Sequence, residues 1–354
     1  MPVTKNEQLC NMELGISTFG EIPIEHISGG AVNAQKRIAE LIQEAILADE
    51  TGIDVYALGE HHRPDYVISS PEMVLAAVAA VTNNIKLSSA VTVLSSADPV
   101  RVYQNFATLD LISKGRAEIM AGRGSFIESF PLFGHDLNDY DELFTEKLEL
   151  LLHINQNEIV NSKGKHRASI NGRGVYPRAY QQQLPVWLAV GGTPQSVVRA
   201  GTLNIPLTIA ILGGQPAQYV PLTDLYRRSA AKAGHDATQL QLAINQHMYI
   251  ADDSMQAADE FWPIYSAVMN RVGKERGWSP MSREQFEYLR QPGGPLLVGT
   301  AQEVADKIIA EHKLFNNTRF LAQTISGNIA HEKILHSIKL FGTKVVPIVR
   351  SAIS

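Results

Sequence analysis

Two histidines and a carboxylate stand together in Gly59-Glu60-His61-His62. Imidazole titrates near neutrality, so this cluster offers a general acid or base, and with Glu60 it also carries residue types that ligate metals. Adjacent side chains on a strand point to opposite faces, and no third ligand stands at useful spacing. Proton handling by His61 is therefore the favoured reading. His62 is expected to hydrogen-bond within the local framework, and no metal is expected. Gly122-Arg123-Gly124 offers a guanidinium able to grip a phosphate bidentately, with flanking glycines that let the backbone approach a ligand. In Gly191-Gly192-Thr193-Pro194, Thr193 reads as an N-cap and Pro194 as a first-turn proline. The glycines then lie just ahead of a helix N-terminus, where free N–H groups bind anions. Each signal has an ordinary structural explanation when taken singly: a surface ion pair for Arg123, a tight turn for the glycines. Their positions on successive strand ends would bring them to one phosphate.

The elements that must position these groups alternate along the chain. Strands are read at Met12–Phe19, Ile53–Leu58, Ile85–Leu94, Arg116–Ala121, Val186–Val190, Pro206–Leu212, Leu242–Ile250 and Thr318–Thr324. Helices fit between them. Ile38, Leu41, Ile42, Ala45 and Ile46 form one helical face, and Asp98-Pro99 supplies an N-cap and first-turn proline. Eight strands alternating with helices imply parallel pairing through right-handed crossovers. An open doubly wound sheet competes, but no GxGxxG follows the first strand and no P-loop occurs. A (β/α)8 TIM barrel with insertions is expected, and its chemistry should gather at the C-terminal strand ends. GEHH, Gly122-Arg123-Gly124 and Gly191-Gly192 all fall at such ends, as do Ile211-Leu212-Gly213-Gly214. Gln246, His247 and Gln323 are candidates to line the cavity. Two insertions are expected: a polar excursion after the fourth strand, Asn155–Gln183, with a possible hairpin at INGRGVYP, and a lid-like segment, Trp278–Pro295, before the eighth. Gly293 and Gly294 would hinge that lid.

The chain has 354 residues, 45% hydrophobic and 19% charged, an ordinary globular balance. Residues 1–11 read as an N-terminal extension and 12–354 as a single domain. Thirty-one basic against 36 acidic residues leave a net charge of −5, without the basic footprint of a nucleic-acid binder. The single cysteine, Cys10, excludes an internal disulfide. No secretory signal and no bilayer-length apolar run is visible, so a cytoplasmic location without membrane contact is expected. Asn316-Asn317-Thr318 matches a glycosylation acceptor and is discounted on the same ground.

Taken together, GEHH, TVLSSADPVR, LDLISKGRAEIMAGRG and LAVGGTP, in this order and spacing, resemble the bacterial luciferase-like flavin monooxygenase family, most clearly over residues 12–215. The resemblance implies a flavin across the C-terminal mouth. Arg123 would hold the FMN phosphate together with the Gly191 and Gly192 backbone. Ala90 and Val91 match the place of a non-prolyl cis peptide or bulge beneath the isoalloxazine. Ile211 matches a position near the flavin, with Gly213 next to it, and His61 matches the histidine that supports flavin oxygen chemistry. The chain departs from luciferase in having Gly122 where luciferase has a reactive cysteine, and Gly191 and Gly192 where it has an acidic residue and a serine. The implied activity is monooxygenation of a small organic substrate with dioxygen, using reduced FMN from a separate flavin reductase. A deazaflavin-dependent hydride transfer and a non-catalytic flavin-binding protein are the alternatives. The family also implies a homodimer, for which Ala76, Ala77, Ala79 and Ala80 would allow close helix packing.

Overall fold

The computed structural model describes residues 12–22, 31–124 and 126–353. The expected extension 1–11, with Cys10, lies outside the described residues. In chain order the strands are β1 (Glu13–Thr18), β2 (Val55–Leu58), β3 (Lys86–Ser89), β4 (Thr92–Val93), β5 (Ala117–Gly122), β6 (Ile159–Ser162), β7 (Ile170–Gly174), β8 (Val186–Val190), β9 (Leu207–Ala210), β10 (Leu242–Ile250), β11 (Leu297–Gly299) and β12 (Arg319–Thr324). The ring β1–β2–β3–β5–β8–β9–β10–β12–β1 is parallel throughout and closes on itself, giving the expected (β/α)8 barrel.

Period-two alternation divides the strand residues between two cores. Val55, Ala57, Met120, Trp187, Ala243 and Leu321 fill the barrel. Residues of the other parity, such as Tyr56, Ile119, Leu188, Ile209, Ile244 and Phe320, join the larger core under the helices. At the N-terminal end of the barrel, Arg319 bonds Glu118 at 2.7 Å, while Lys86 approaches Glu118 at 3.5 Å. The Arg319 guanidinium also lies 4.2 Å from the centre of the Trp187 ring. This network closes that end and leaves the opposite end for ligands.

The outer helices are α1 (Ala31–Glu50), α2 (Pro71–Ala79), α3 (Pro99–Ser113), α4 (Ser129–Leu132), α5 (Tyr140–Gln156), α6 (Pro194–Thr202), α7 (Val220–Lys232), α8 (Ser254–Arg276), α9 (Arg283–Leu289), α10 (Ala301–Phe315), α11 (His331–Leu340) and α12 (Val346–Ile353). Local chemistry sets their ends. The Asp98 carboxylate accepts from the Val100 and Arg101 amides at the start of α3, and Lys114 at φ 58° stops it. Among the described residues, no helix is long and apolar enough to cross a membrane.

Three local features differ from the sequence reading. The third strand, read as one run Ile85–Leu94, is interrupted: β3 ends at Ser89 and pairing with β5 resumes at Thr92, while the Ala90–Val91 peptide between them is cis, as the resemblance implied. In the excursion, INGRG is one arm of the hairpin and not its turn, because β7 pairs antiparallel with β6. The segment Trp278–Pro295 contains α9, whose Phe286 is fully buried against Phe261, Trp262 and Tyr265 of α8.

Candidate active site

His61 follows β2 at the C-terminal mouth, its amide donating to the Ile68 carbonyl. Its ring sits in an aromatic cage, with Phe19, Tyr66 and Phe126 at centroid distances of 4.6, 4.4 and 5.1 Å. Nδ1 is 4.0 Å from a Glu128 carboxylate oxygen, and Nε2 is buried without a hydrogen-bond partner. Burial first, then the charges of Arg63, His62 and Arg271, pull the imidazole down to about 3. It is therefore neutral at physiological pH. His62 turns the other way, as expected: its Nε2 is 2.8 Å from Glu60 Oε1, while Glu60 Oε2 accepts from the Val93 amide. The pair ties the end of β2 to the strand that resumes after the cis peptide.

Gly122 shows why this position is bare. A Cβ there would lie 2.7 Å from Val91, so any side chain would displace the cis segment. The next residue, Arg123, reaches the β8–α6 turn, where Nη2 donates to Thr193 Oγ1 at 3.1 Å. Its other arm meets Asp141 Oδ1 at 2.7 Å, and the guanidinium lies over Tyr140 at 5.1 Å. Arg123 and the Gly191-Gly192 turn thus converge through Thr193. Side chains built at Gly191 or Gly192 would meet nothing within 4 Å, and Gly192 has φ +125°. Open space beside a guanidinium, a hydroxyl and a helix N-terminus suits a phosphate. Thr193 was legible as an N-cap, but its hydrogen bond from Arg123 had no sequence signal.

The other candidates separate. Gly213 is open, with its carbonyl accepting from the Tyr219 hydroxyl. Ile211 reaches the rim, yet its side chain is fully buried in the outer core. Gln246 shares parity with Ile244 and lies beside Glu311 of α10, so it packs outside the barrel and does not line the cavity. His247 has the inward parity of Ala243. Its buried ring meets Tyr265 edge-on at 5.7 Å, and both His247 Nδ1 and the Tyr265 hydroxyl lack partners. Burial lowers His247 to about 4. Gln323 lies in register with Ser17 and His247.

The cover over the mouth was only partly anticipated. Helix α8 starts beyond β10, where Tyr265 meets His247, and reaches the loop after β2. There Arg271 pairs with buried Asp65 at 2.8 Å and Glu275 with Arg63 at 2.8 Å. Arg63 in turn covers Phe126, 4.6 Å from its ring centre. The Gly293-Gly294 turn is held in place: Lys307 donates to the carbonyls of Arg290 and Leu296 at 2.7 and 2.6 Å. Asp65, Arg271 and Tyr265 carried no signal in the sequence, because only the fold brings α8 to β2.

A closed (β/α)8 barrel whose C-terminal mouth holds a caged histidine, and an arginine bonded to a glycine turn at a helix N-terminus, has the frame of a barrel enzyme. The chain belongs to the luciferase-like monooxygenase family, whose model matches residues 12–317. It is therefore a flavoprotein oxidoreductase of the oxygenase type. The alkanal monooxygenase alpha chain of Photorhabdus luminescens is 22% identical over 337 residues, 88% of this chain and 91% of the relative. Among solved structures, the monooxygenase RslO1 from Streptomyces bottropensis superposes with a TM-score of 0.83 at 24% identity, covering 95% and 99% of the two chains. The oxygenating constituent of 3,6-diketocamphane monooxygenase from Pseudomonas putida, in complex with FMN, gives 0.75 at 20%, covering 96% and 98%. An F420-dependent secondary alcohol dehydrogenase gives 0.73 at 17%, covering 96% and 99%.

Proposed function

We propose that this protein is an FMN-dependent monooxygenase that takes reduced FMN from a separate reductase and oxygenates a small organic substrate. The observation that carries the reading is the meeting of Arg123, Thr193 and the open Gly191-Gly192 turn at the mouth that also holds His61. A terminal phosphate monoester suits this cradle: two guanidinium arms, a hydroxyl and free N–H groups on one side of an open space. Gly213, just beyond the end of β9, has no side chain, and a Cβ built there meets nothing within 4 Å, which leaves room for a planar ring. Bound reduced flavin supplies the electrons that activate dioxygen.

The protein's own residues then have three tasks. Arg123 and Thr193 anchor the phosphate. Neutral His61, its Nε2 otherwise without a partner, holds a hydrogen bond to the reacting atoms and so positions a proton there. The aromatic cage and α8 keep water from that imidazole, which protects the oxygen chemistry from wasteful peroxide release.

The test is anaerobic titration with reduced FMN, reduced deazaflavin and reduced riboflavin. Preference for FMN supports the reading, and preference for the deazaflavin transfers it to a hydride-transfer enzyme, as in the F420-dependent neighbour. Arg123→Ala should weaken FMN binding by about 2 kcal/mol, roughly thirtyfold, if a charged hydrogen bond is lost. Riboflavin binding should not change.

A homodimer through α2 and α3 completes the proposal. A cavity of about 370 Å³ between these helices is lined by Glu72, Asn105, Phe106 and Phe133 and reaches His62. Met73 and Phe133 are 70% and 51% exposed beside it. Sedimentation of a Met73→Glu, Phe133→Glu variant should report a monomer where the parent chain is a dimer.

A further inference from the structure

We infer that Asp141 is a built-in competitor for the phosphate site, so that the flavin is held as an exchanging co-substrate and not as a resident group. The inference rests on the phosphate assignment above and adds a residue that the assignment does not use. Thr193 fixes one arm of Arg123 at 3.1 Å and thereby aims the guanidinium at the α6 N-terminus. The other arm sits 2.7 Å from Asp141 Oδ1. A phosphate gripped bidentately needs that second arm, and a dianion cannot share it with a carboxylate without like-charge repulsion.

Position makes the carboxylate displaceable. Asp141 lies in the first turn of α5, and its side chain is 75% exposed, so it can turn to water when phosphate arrives. When phosphate leaves, the same carboxylate recaptures a guanidinium that would otherwise stay free and attractive to anions. Arg199 on α6, whose Nη2 donates to Thr145 Oγ1 at 2.8 Å, feels the charges of both Arg123 and Asp141. Asp141 therefore lowers the positive potential of the whole cradle and not of one arm alone. A protein that receives its flavin from another protein and must release it after each turnover gains from this arrangement, because the grip is strong in geometry and moderate in affinity.

Affinity for oxidised FMN, read by quenching of flavin fluorescence, tests the inference on Asp141→Asn and Asp141→Glu, with riboflavin as the phosphate-free control. Asp141 is exposed and is not the N-cap of α5, so its replacement by asparagine should leave folding intact. The exposed carboxylate is screened, so Asp141→Asn should tighten FMN binding about two- to fivefold. Its FMN should dissociate more slowly, its riboflavin affinity should be unchanged, and Asp141→Glu should behave as the parent chain. Equal or weaker FMN binding by Asp141→Asn, in a protein whose parent form still prefers FMN to riboflavin, would overturn the role of Asp141 and leave the phosphate site standing. A parent chain that binds both flavins equally would remove the phosphate site, and this inference with it.

Discussion

His61 is neutral because its surroundings refuse it a charge. Phe19, Tyr66 and Phe126 replace water around the ring, and two guanidinium groups nearby oppose a proton. Its value of about 3, and that of about 4 at His247, lie below the 6.5 of a solvated imidazole. In the window between, the unfolded chain takes up protons that the folded chain declines. The stability each histidine contributes is thus complete above about pH 6.5 and is lost as pH falls toward its folded value. Glu311, raised to about 8 by burial, adds a slope of opposite sign, so a difference measurement is needed. Urea midpoints at several pH values should fall less steeply below pH 6.5 in His61→Phe than in the parent chain. Parallel curves would mean that His61 is solvated. Substitution by asparagine tests chemistry: substrate oxidation should drop roughly 10²- to 10⁴-fold if the imidazole moves a proton. Flavin binding, for which we propose Arg123 as the anchor, should survive.

Among the elements, the parts readable from sequence are those governed by local chemistry. Val186–Val190 and Leu242–Ile250 have the bounds expected from their apolar runs, and α3 begins at its Asp98-Pro99 signal. The meeting of Arg123 with the Gly191-Gly192-Thr193 turn was legible because these residues stand at strand ends that a barrel must bring together. What escaped depends on contacts remote in sequence. Gln246 looked like a cavity residue until pairing with β12 fixed which face of β10 turns inward. The cover was sought in a glycine hinge at Gly293-Gly294, whereas Lys307 pins that turn and α8 makes the bridge from β10 to β2. That bridge has a weak point. Asp65 is 3% exposed, and Arg271 is its partner at 2.8 Å, with Arg63 at 3.3 Å. Arg271→Ala leaves a buried carboxylate short of one cation and removes one of the two ion pairs that fasten the far end of α8, leaving Arg63–Glu275. Melting temperature should fall. More tellingly, hydrogen peroxide released per reduced flavin oxidised should rise, because water gains access to the mouth. Unchanged coupling with a lowered melting temperature would assign α8 to stability alone.

Across the whole molecule the barrel keeps its two ends for different purposes. The C-terminal end gathers the open glycines, the caged histidine and Arg123. The N-terminal end is closed by Glu13, Lys86, Glu118 and Arg319, with Arg319 only 1% exposed and lying over Trp187. Strands of about six residues put roughly 20 Å between the two ends. Interactions that stabilise the barrel can therefore be altered without touching the ligand site. Arg319→Met is the severe case, since it strands Glu118 in the interior with Lys86 at 3.5 Å as the nearby cation. Breaking a buried pair in this way costs about 3–5 kcal/mol. Denaturant unfolding should show that loss, while FMN affinity measured well below the unfolding midpoint stays within about twofold of the parent, as expected for distant, independent sites. The companion Glu118→Gln, Arg319→Met variant removes both charges and should recover much of the stability, since a pair replaced together avoids the stranded charge. A change in FMN affinity that tracks stability through this series would show that the Trp187 layer transmits strain between the ends. An affinity that stays flat would establish the barrel as a scaffold whose chemistry is set at its mouth.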